Sequence, residues 1–281
     1  MQVVRTVAAL RVVVDGWRRA GEKSALIPTM GALHAGHLAL VATGRAAADR
    51  TVASIFVNPT QFAAGEDLDR YPRQEVADRA ALEEVGCDLL YAPAVEEMYP
   101  DGFATSVRVA GLPQLLCGNS RPGHFDGVAT VVAKLFSQAR TDMAVFGEKD
   151  WQQLAIIRRA ARDLDLPVEI LGVPIVRDED GLALSSRNAY LSPGERAKAV
   201  ALPDAMKDAV TRIEGGDSVP EVLQAVREAL TAAGFAVDYV ELRGAEDLEA
   251  LSRVDRPARL FAAASIGKTR LIDNMAVVPG A

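Results

Sequence analysis

Between Ser24 and Val173 short apolar runs alternate with helix-length segments, and this alternation restricts the fold more than any other feature of the chain. The runs fall at residues 24–29, 51–57, 88–92, 142–146 and 168–173, with Gly, Pro or Asn as punctuation. Their length and boundaries predict buried strands. Between them, Val128, Val131, Val132, Leu135, Phe136 and Ala139 recur at helical spacing, as do Leu154, Ile157, Ala161 and Leu164. Such alternation predicts an α/β domain whose parallel sheet carries helices on both faces. In sheets of this kind ligands sit beyond the carboxyl ends of the strands, where the loops begin.

The composition changes at Gly172-Val173-Pro174-Ile175-Val176-Arg177-Asp178-Glu179-Asp180-Gly181, a stretch with the Pro, Gly and charge content of a domain boundary. Beyond it, Ser192-Pro193-Gly194-Glu195 offers an N-cap, a proline at the first helical position and a capping-box glutamate. Leu202, Met206, Ala209 and Ile213 follow at helical spacing. Ser218-Val219-Pro220-Glu221 is expected to open a second helix in the same way. Residues 235–242 and 259–264 read as strands, so the second unit is expected to be a smaller α+β domain.

With 281 residues the chain is long enough for one large domain or two smaller ones. A formal net charge of -7 argues against a broad nucleic-acid footprint. The two cysteines, Cys87 and Cys117, lie outside any C-x-x-C pattern, so neither a disulfide framework nor a zinc cluster is indicated and a cytoplasmic location is expected. Arg5, Arg11, Asp15 and Arg18 interrupt the N-terminal apolar residues, and no uncharged apolar stretch reaches membrane-spanning length. Neither a signal peptide nor a membrane anchor is expected.

Three strand ends carry chemistry. His34-Ala35-Gly36-His37 follows the run at 24–29, Asn58-Pro59-Thr60-Gln61 follows that at 51–57, and Gly147-Glu148-Lys149-Asp150 follows that at 142–146. Two imidazoles three positions apart share the first turn of a helix that begins there, and Gly36 lets a phosphate approach the backbone. Each motif also has an ordinary structural explanation. The histidines can simply hydrogen-bond locally, Gly147-Glu148-Lys149-Asp150 is ordinary solvated-turn chemistry, and Ser185-Ser186-Arg187 suits a turn or helix cap. Gln153 suits an exposed helix face and Asn58 a strand-end turn.

Pro28-Thr29-Met30-Gly31-Ala32-Leu33-His34-Ala35-Gly36-His37-Leu38 resembles the nucleotide-binding signature of the pantothenate synthetase (pantoate–β-alanine ligase) family, within the wider HxGH nucleotidyltransferase group. Further segments match that family in the same order along nearly the whole chain. They are Asn58-Pro59-Thr60-Gln61-Phe62, Tyr71-Pro72-Arg73, Glu97-Met98-Tyr99-Pro100, Arg121-Pro122-Gly123-His124-Phe125, Phe146-Gly147-Glu148-Lys149-Asp150, Ser185-Ser186-Arg187-Asn188 and Thr269-Arg270-Leu271-Ile272-Asp273-Asn274. Two departures stand out: Ala63 where glycine is usual after Gln61-Phe62, and Leu184 where methionine is common.

The resemblance implies a ligase that joins (R)-pantoate to β-alanine with ATP and Mg²⁺, through a pantoyl-adenylate, releasing AMP and pyrophosphate. A carboxylate attacking the α-phosphorus is already anionic, so the first step needs positioning and charge stabilisation rather than a general base. His34, His37, Lys149 and Arg187 are expected to supply that stabilisation, with His37 the family's proton donor. The resemblance places ATP at Met30, Gly31, Ala32, Leu33, His34, Ala35, Gly36, His37, Gly147, Glu148, Lys149, Asp150, Val176, Leu184, Ser185, Ser186 and Arg187. Pantoate falls at Gln61 and Gln153, with Gln61 also near β-alanine, and Asn58 is added because an amide can bond hydroxyls and carboxylate without quenching the nucleophile.

Residues 1–176 are therefore expected to form a Rossmann-like nucleotide- and pantoate-binding domain, and residues 177–281 a smaller C-terminal domain over the ATP site. The metal ligands are left open, with Asp150 a candidate. Arg121 is expected to help hold a cover over the acyl-adenylate, while His124 is given no chemical step. The family implies a homodimer, with neither nucleic acid nor membrane as partner. The competing readings are an HxGH nucleotidyltransferase that leaves AMP on its product and a non-catalytic nucleotide sensor.

Overall fold

The computed structural model describes residues 1–62, 66 and 68–279, so Ala63, one of the two departures from the family pattern, lies outside the described residues. The chain forms β1 (Gln2–Val4), α1 (Val7–Arg19), β2 (Ser24–Thr29), α2 (Ala35–Ala47), β3 (Arg50–Ile55), α3 (Glu75–Glu84), β4 (Leu89–Tyr91), α4 (Val95–Met98), α5 (Cys117–Ser120), α6 (His124–Ala139), β5 (Met143–Gly147), α7 (Trp151–Asp163) and β6 (Glu169–Val173). There follow α8 (Pro193–Ala199), α9 (Ala201–Glu214), α10 (Val219–Ala232), β7 (Ala236–Gly244), β8 (Ala258–Ile266) and β9 (Thr269–Val277). Two compact units result. One is Met1–Glu148 with Gln152–Pro174, the other Lys149–Trp151 with Ile175–Ala281.

In the first unit the strands run parallel in the order β1-β4-β3-β2-β5-β6. From β2 the chain steps outward to β3 and β4, then returns to the other side of β2 for β5 and β6. The strand order therefore reverses between β2 and β5, and in doubly wound sheets the ligand crevice opens at the carboxyl ends flanking such a reversal. Leu26, Ile27, Val52, Ala53, Leu89, Leu90, Ala144 and Val145 are completely buried, which is why these strands read as continuous apolar runs rather than alternating ones. Each fully buried large side chain among them contributes about 1.5–3 kcal/mol. Carboxylates fix the amino ends of the central strands: Asp142 accepts from Ser24 N at 2.8 Å and Asp88 from Thr51 N at 2.8 Å.

The sequence did not announce β1, a three-residue edge strand pairing with β4 far along the chain. Leu164, expected on the buried face of α7, instead lies just past its end and is exposed. Leu154, Ile157 and Ala161 are buried as expected.

In the second unit β7, β8 and β9 form an antiparallel sheet, in register from Ala258↔Val277 to Ile266↔Thr269 in its second pair. Leu202, Met206, Ala209 and Ile213 of α9 and Val222, Val226 and Leu230 of α10 share one core with Val240, Leu260 and Ala262 of that sheet. Ser192 and Glu195 form the expected capping box, and their hydrogen bonds hold the Glu195 carboxyl below the usual range. Ser218, by contrast, makes no side-chain cap bond, and a break at Val200 separates α8 from α9. The third strand, β9, was not anticipated because Arg270, Asp273 and Asn274 interrupt its apolar pattern. Among the described residues no helix is long and apolar enough to cross a membrane.

Candidate functional site

The turn after β2 is built around one buried carboxylate. Thr29 Oγ1 donates to Ser54 O at 2.7 Å and accepts from Gly31 N at 3.2 Å. Gly31 and Ala32 then both take left-handed conformations, with φ of 81° and 53°. A Cβ on Gly31 would lie 2.9 Å from Asp78 Oδ2 and 3.2 Å from Ile55 Cγ2, so only glycine fits there. Ala32 carries the left-handed penalty of about 1–2 kcal/mol. The conformation is imposed by Asp78, 1% exposed, whose two oxygens accept from Ala32 N at 2.9 Å and Leu33 N at 2.8 Å. Gln74 Nε2 adds a third donor at 3.3 Å.

That turn delivers His34 to the N-cap of α2. His34 Nδ1 accepts from Gly36 N at 3.1 Å and His37 Nδ1 accepts from His34 N at 3.3 Å, a reciprocal capping box made by two imidazoles. The ring centroids are 4.1 Å apart. A backbone N–H can only donate, so both Nδ1 atoms act as acceptors and each neutral ring carries its proton on Nε2. The structural and the chemical explanations of the pair thus apply to different atoms: Nδ1 shapes the helix start, and Nε2–H is a donor at the positive end of α2.

Asn58, the N-cap of the 3₁₀ turn Pro59–Gln61 that follows β3, and Gln61, its last residue, are both buried. Asn58 Nδ2 donates to Gln61 Oε1 at 3.1 Å and Gly127 O at 3.2 Å, while its Oδ1 accepts from Thr60 and, at 2.8 Å, from the Tyr99 hydroxyl. Burial pushes the Tyr99 phenol pKa up, against the Thr60 hydrogen bond, so it stays a neutral donor. Both amide hydrogens of Asn58 are committed to protein partners, which makes it a holder of Gln61. Gln61 Nε2 reaches Met30 Sδ at 2.9 Å, joining this turn to the one after β2. A Cβ on Gly127 would meet the Thr60 backbone and lie 2.8 Å from Gln61 N, so α6 packs directly against the turn only because position 127 is glycine.

Arg121 and His124 also act on Gln61. Its carbonyl accepts from His124 Nδ1 at 2.7 Å, so His124 Nε2 is the acceptor for Arg121 Nη1 at 3.0 Å. Arg121 closes a bidentate pair with Glu66 at 2.8 and 2.6 Å. Gln153 is half-buried on α7, whereas neighbouring Gln152 is buried and spent on Cys117 N, Leu112 O and Leu115 O.

In the second unit Leu184 N donates to Val176 O at 3.0 Å, which brings those two positions together and leaves the substitution of methionine by leucine without effect on the backbone bond. Ser185 caps the 3₁₀ turn Ser186–Tyr190 through Arg187 N at 3.3 Å. Ser186 and Arg187 are half-buried, as is Lys149, while Asp150 is exposed. Among the described residues no group of three or more His, Cys, Asp or Glu side chains forms a metal cage.

Sequence reasoning missed Asp78, Tyr99 and the structural use of His124. Asp78 did carry a signal, since it lies four positions before Leu82 on the buried stripe of α3, where a carboxylate is out of place unless something bonds it.

The family model described as Pantoate-beta-alanine ligase matches residues 2–276. The chain belongs to the pantoate–β-alanine ligase family. Among curated ligases of this family, the pantothenate synthetase of Paramagnetospirillum magneticum is 56% identical over 280 residues, covering 99% of each chain. That of Sphingopyxis alaskensis is 57% identical over 278 residues, 99% of this chain and 100% of the relative. The crystal structure of pantothenate synthetase from Thermus thermophilus superposes with a TM-score of 0.94 at 52% identity, over 99% of this chain and 100% of that one. A pantoate–β-alanine ligase from Francisella tularensis, solved in complex with beta-gamma ATP and beta-alanine, gives a TM-score of 0.82 at 30% identity, over 98% and 97% of the two chains. As a pantoate–β-alanine ligase, the enzyme condenses pantoate with β-alanine in an ATP-dependent reaction.

Proposed function

We propose that this ligase works by carboxylate adenylation, with His37, His34, Lys149 and Arg187 as the catalytic charge-stabilising groups. The observation that supports it most is the histidine capping box beside the strand-order reversal, which directs two Nε2–H donors from a helix start. One pantoate carboxylate oxygen bonds to the α-phosphorus of ATP as the bond to the bridging oxygen breaks and pyrophosphate leaves. The nucleophile carries its own charge, so no base is required, and donors aimed at the phosphoryl oxygens lower the barrier. The uncharged β-alanine amine then forms the C–N bond, AMP departs with the carboxylate oxygen, and the amine gives up one proton.

Met30 to His37, Gly147 to Asp150, Val176 and Leu184 to Arg187 are the proposed ATP contacts. Gln61 and Gln153 bind pantoate, with Asn58 holding Gln61 in place. In this proposal residues 1–176 bind nucleotide and pantoate, while residues 177–281 contribute to the ATP site. Asp150 is the candidate protein contact for the Mg²⁺ that would accompany ATP, and the ion would supply charge neutralisation of the leaving pyrophosphate. We place the enzyme in the cytoplasm as a homodimer. Burial pushes the Cys87 thiol pKa up and keeps it protonated.

Isotope transfer tests the intermediate. With both carboxylate oxygens of pantoate labelled with oxygen-18, complete turnover is expected to leave one label in AMP and one in the new amide. Unlabelled AMP, or a stable adenylylated product in place of the amide, would contradict adenylation.

A further inference from the structure

The segment Thr269-Arg270-Leu271-Ile272-Asp273-Asn274 has no part in the chemistry above, yet it places two buried polar side chains side by side on β9: Asp273 is 3% exposed and Asn274 2%. Burying such groups is costly unless they are bonded, so their partners indicate what they are for. Asn274 Nδ2 donates to the backbone carbonyl of Lys149 at 2.9 Å, and Asn274 Oδ1 accepts from Arg259. The Arg259 guanidinium stacks 3.4 Å over the Trp151 ring, whose Nε1 donates to Ala245 O at 2.8 Å. Both ends of the segment Lys149–Trp151 are thereby gripped by the second unit, Lys149 through its carbonyl and Trp151 through its ring.

Asp273 fixes the preceding position. It takes a bidentate pair from Arg177 at 2.7 and 2.8 Å and accepts from Asn274 N at 2.7 Å, so the strand cannot shift locally without breaking charge-assisted bonds. A lysine ammonium is a point charge on a flexible four-carbon stem, and where it reaches depends on where its backbone is held. A displacement of about 1 Å at a reacting geometry costs about 10²-fold in rate.

We propose that Asn274 is a positioning residue for Lys149, holding the lysine backbone so that its ammonium meets the developing phosphoryl charge. The proposal rests on the assignment of Lys149 to charge stabilisation. Asn274→Asp isolates the contact: a carboxylate cannot donate to the Lys149 carbonyl, but it keeps an acceptor for Arg259 and so spares the Trp151 stack.

The test is a double-mutant cycle on the full chain, with Asn274→Asp, Lys149→Ala and the double variant assayed for pantoate-dependent exchange of pyrophosphate into ATP. Lys149→Ala is expected to lower kcat by about 10²-fold or more. Asn274→Asp should lower kcat by about tenfold or more with the KM for ATP changed less than about threefold, and add less than about twofold on the Lys149→Ala background. A loss of undiminished size on that background, or no loss in a folded Asn274→Asp enzyme, overturns the proposal. If Lys149→Ala alone leaves kcat unchanged, the role of Lys149 falls and the proposal with it. Thermal unfolding verifies folding; if the aspartate variant does not fold, Asn274→Ser, whose hydroxyl is too short to reach Lys149, is scored in the same cycle.

Discussion

His37→Gln is expected to fold with little change in melting temperature and to lose about 10²–10³-fold in kcat for pantoate-dependent exchange of pyrophosphate into ATP. The imidazole of His37 has two separable duties. Its Nδ1 accepts from His34 N, closing the cap of α2, and its Nε2–H is the proposed donor to charge that develops on the α-phosphate. Glutamine is an ordinary residue at the third position of a capping box, so its side-chain oxygen can take over the first duty. It cannot supply an imidazole N–H in the same place. His37→Ala removes both, and should add a stability loss of about 1 kcal/mol to the same kinetic defect. A donor that acts mainly in the transition state leaves ATP binding within about threefold of the parent. Recovery of activity in His37→Gln would show that the histidine serves only the helix cap.

Asp78→Ala is expected to be the most damaging change to the scaffold of the site. It orphans the buried N–H groups of Ala32 and Leu33, at about 1–3 kcal/mol each. Relaxation of Ala32 out of its left-handed conformation returns about 1–2 kcal/mol. At mid-range values the net loss is about 2.5 kcal/mol, read as a lower denaturant midpoint, together with reduced exchange because the turn delivers His34 to its cap. An unchanged midpoint in Asp78→Ala would mean that the turn holds itself.

Much of the first unit was legible because its central strands are buried on both faces and so read as unbroken apolar runs. The second unit was less so. The buried groups of β9 include Asp273 and Asn274, whose solvation cost is met by Arg177, Arg259 and the Lys149 carbonyl, and no local pattern in the sequence signals partners so far away. The same physics hid Asp78. The motifs at the strand ends were visible as chemistry, but their hydrogen-bond partners were not: Asn58, expected near pantoate, donates to the Gln61 side chain in the fold, while His124, given no chemical step, donates to the Gln61 carbonyl. Hydrogen-bond direction assigned those roles, and direction is a property of geometry rather than of residue type.

Carboxylate adenylation is tested most directly by exchange of labelled pyrophosphate into ATP. The expected result is exchange that requires pantoate, proceeds without β-alanine, and gives way to AMP release once β-alanine is added. Exchange in the absence of pantoate, or none until β-alanine is present, would contradict an enzyme that activates the pantoate carboxylate before the amine arrives.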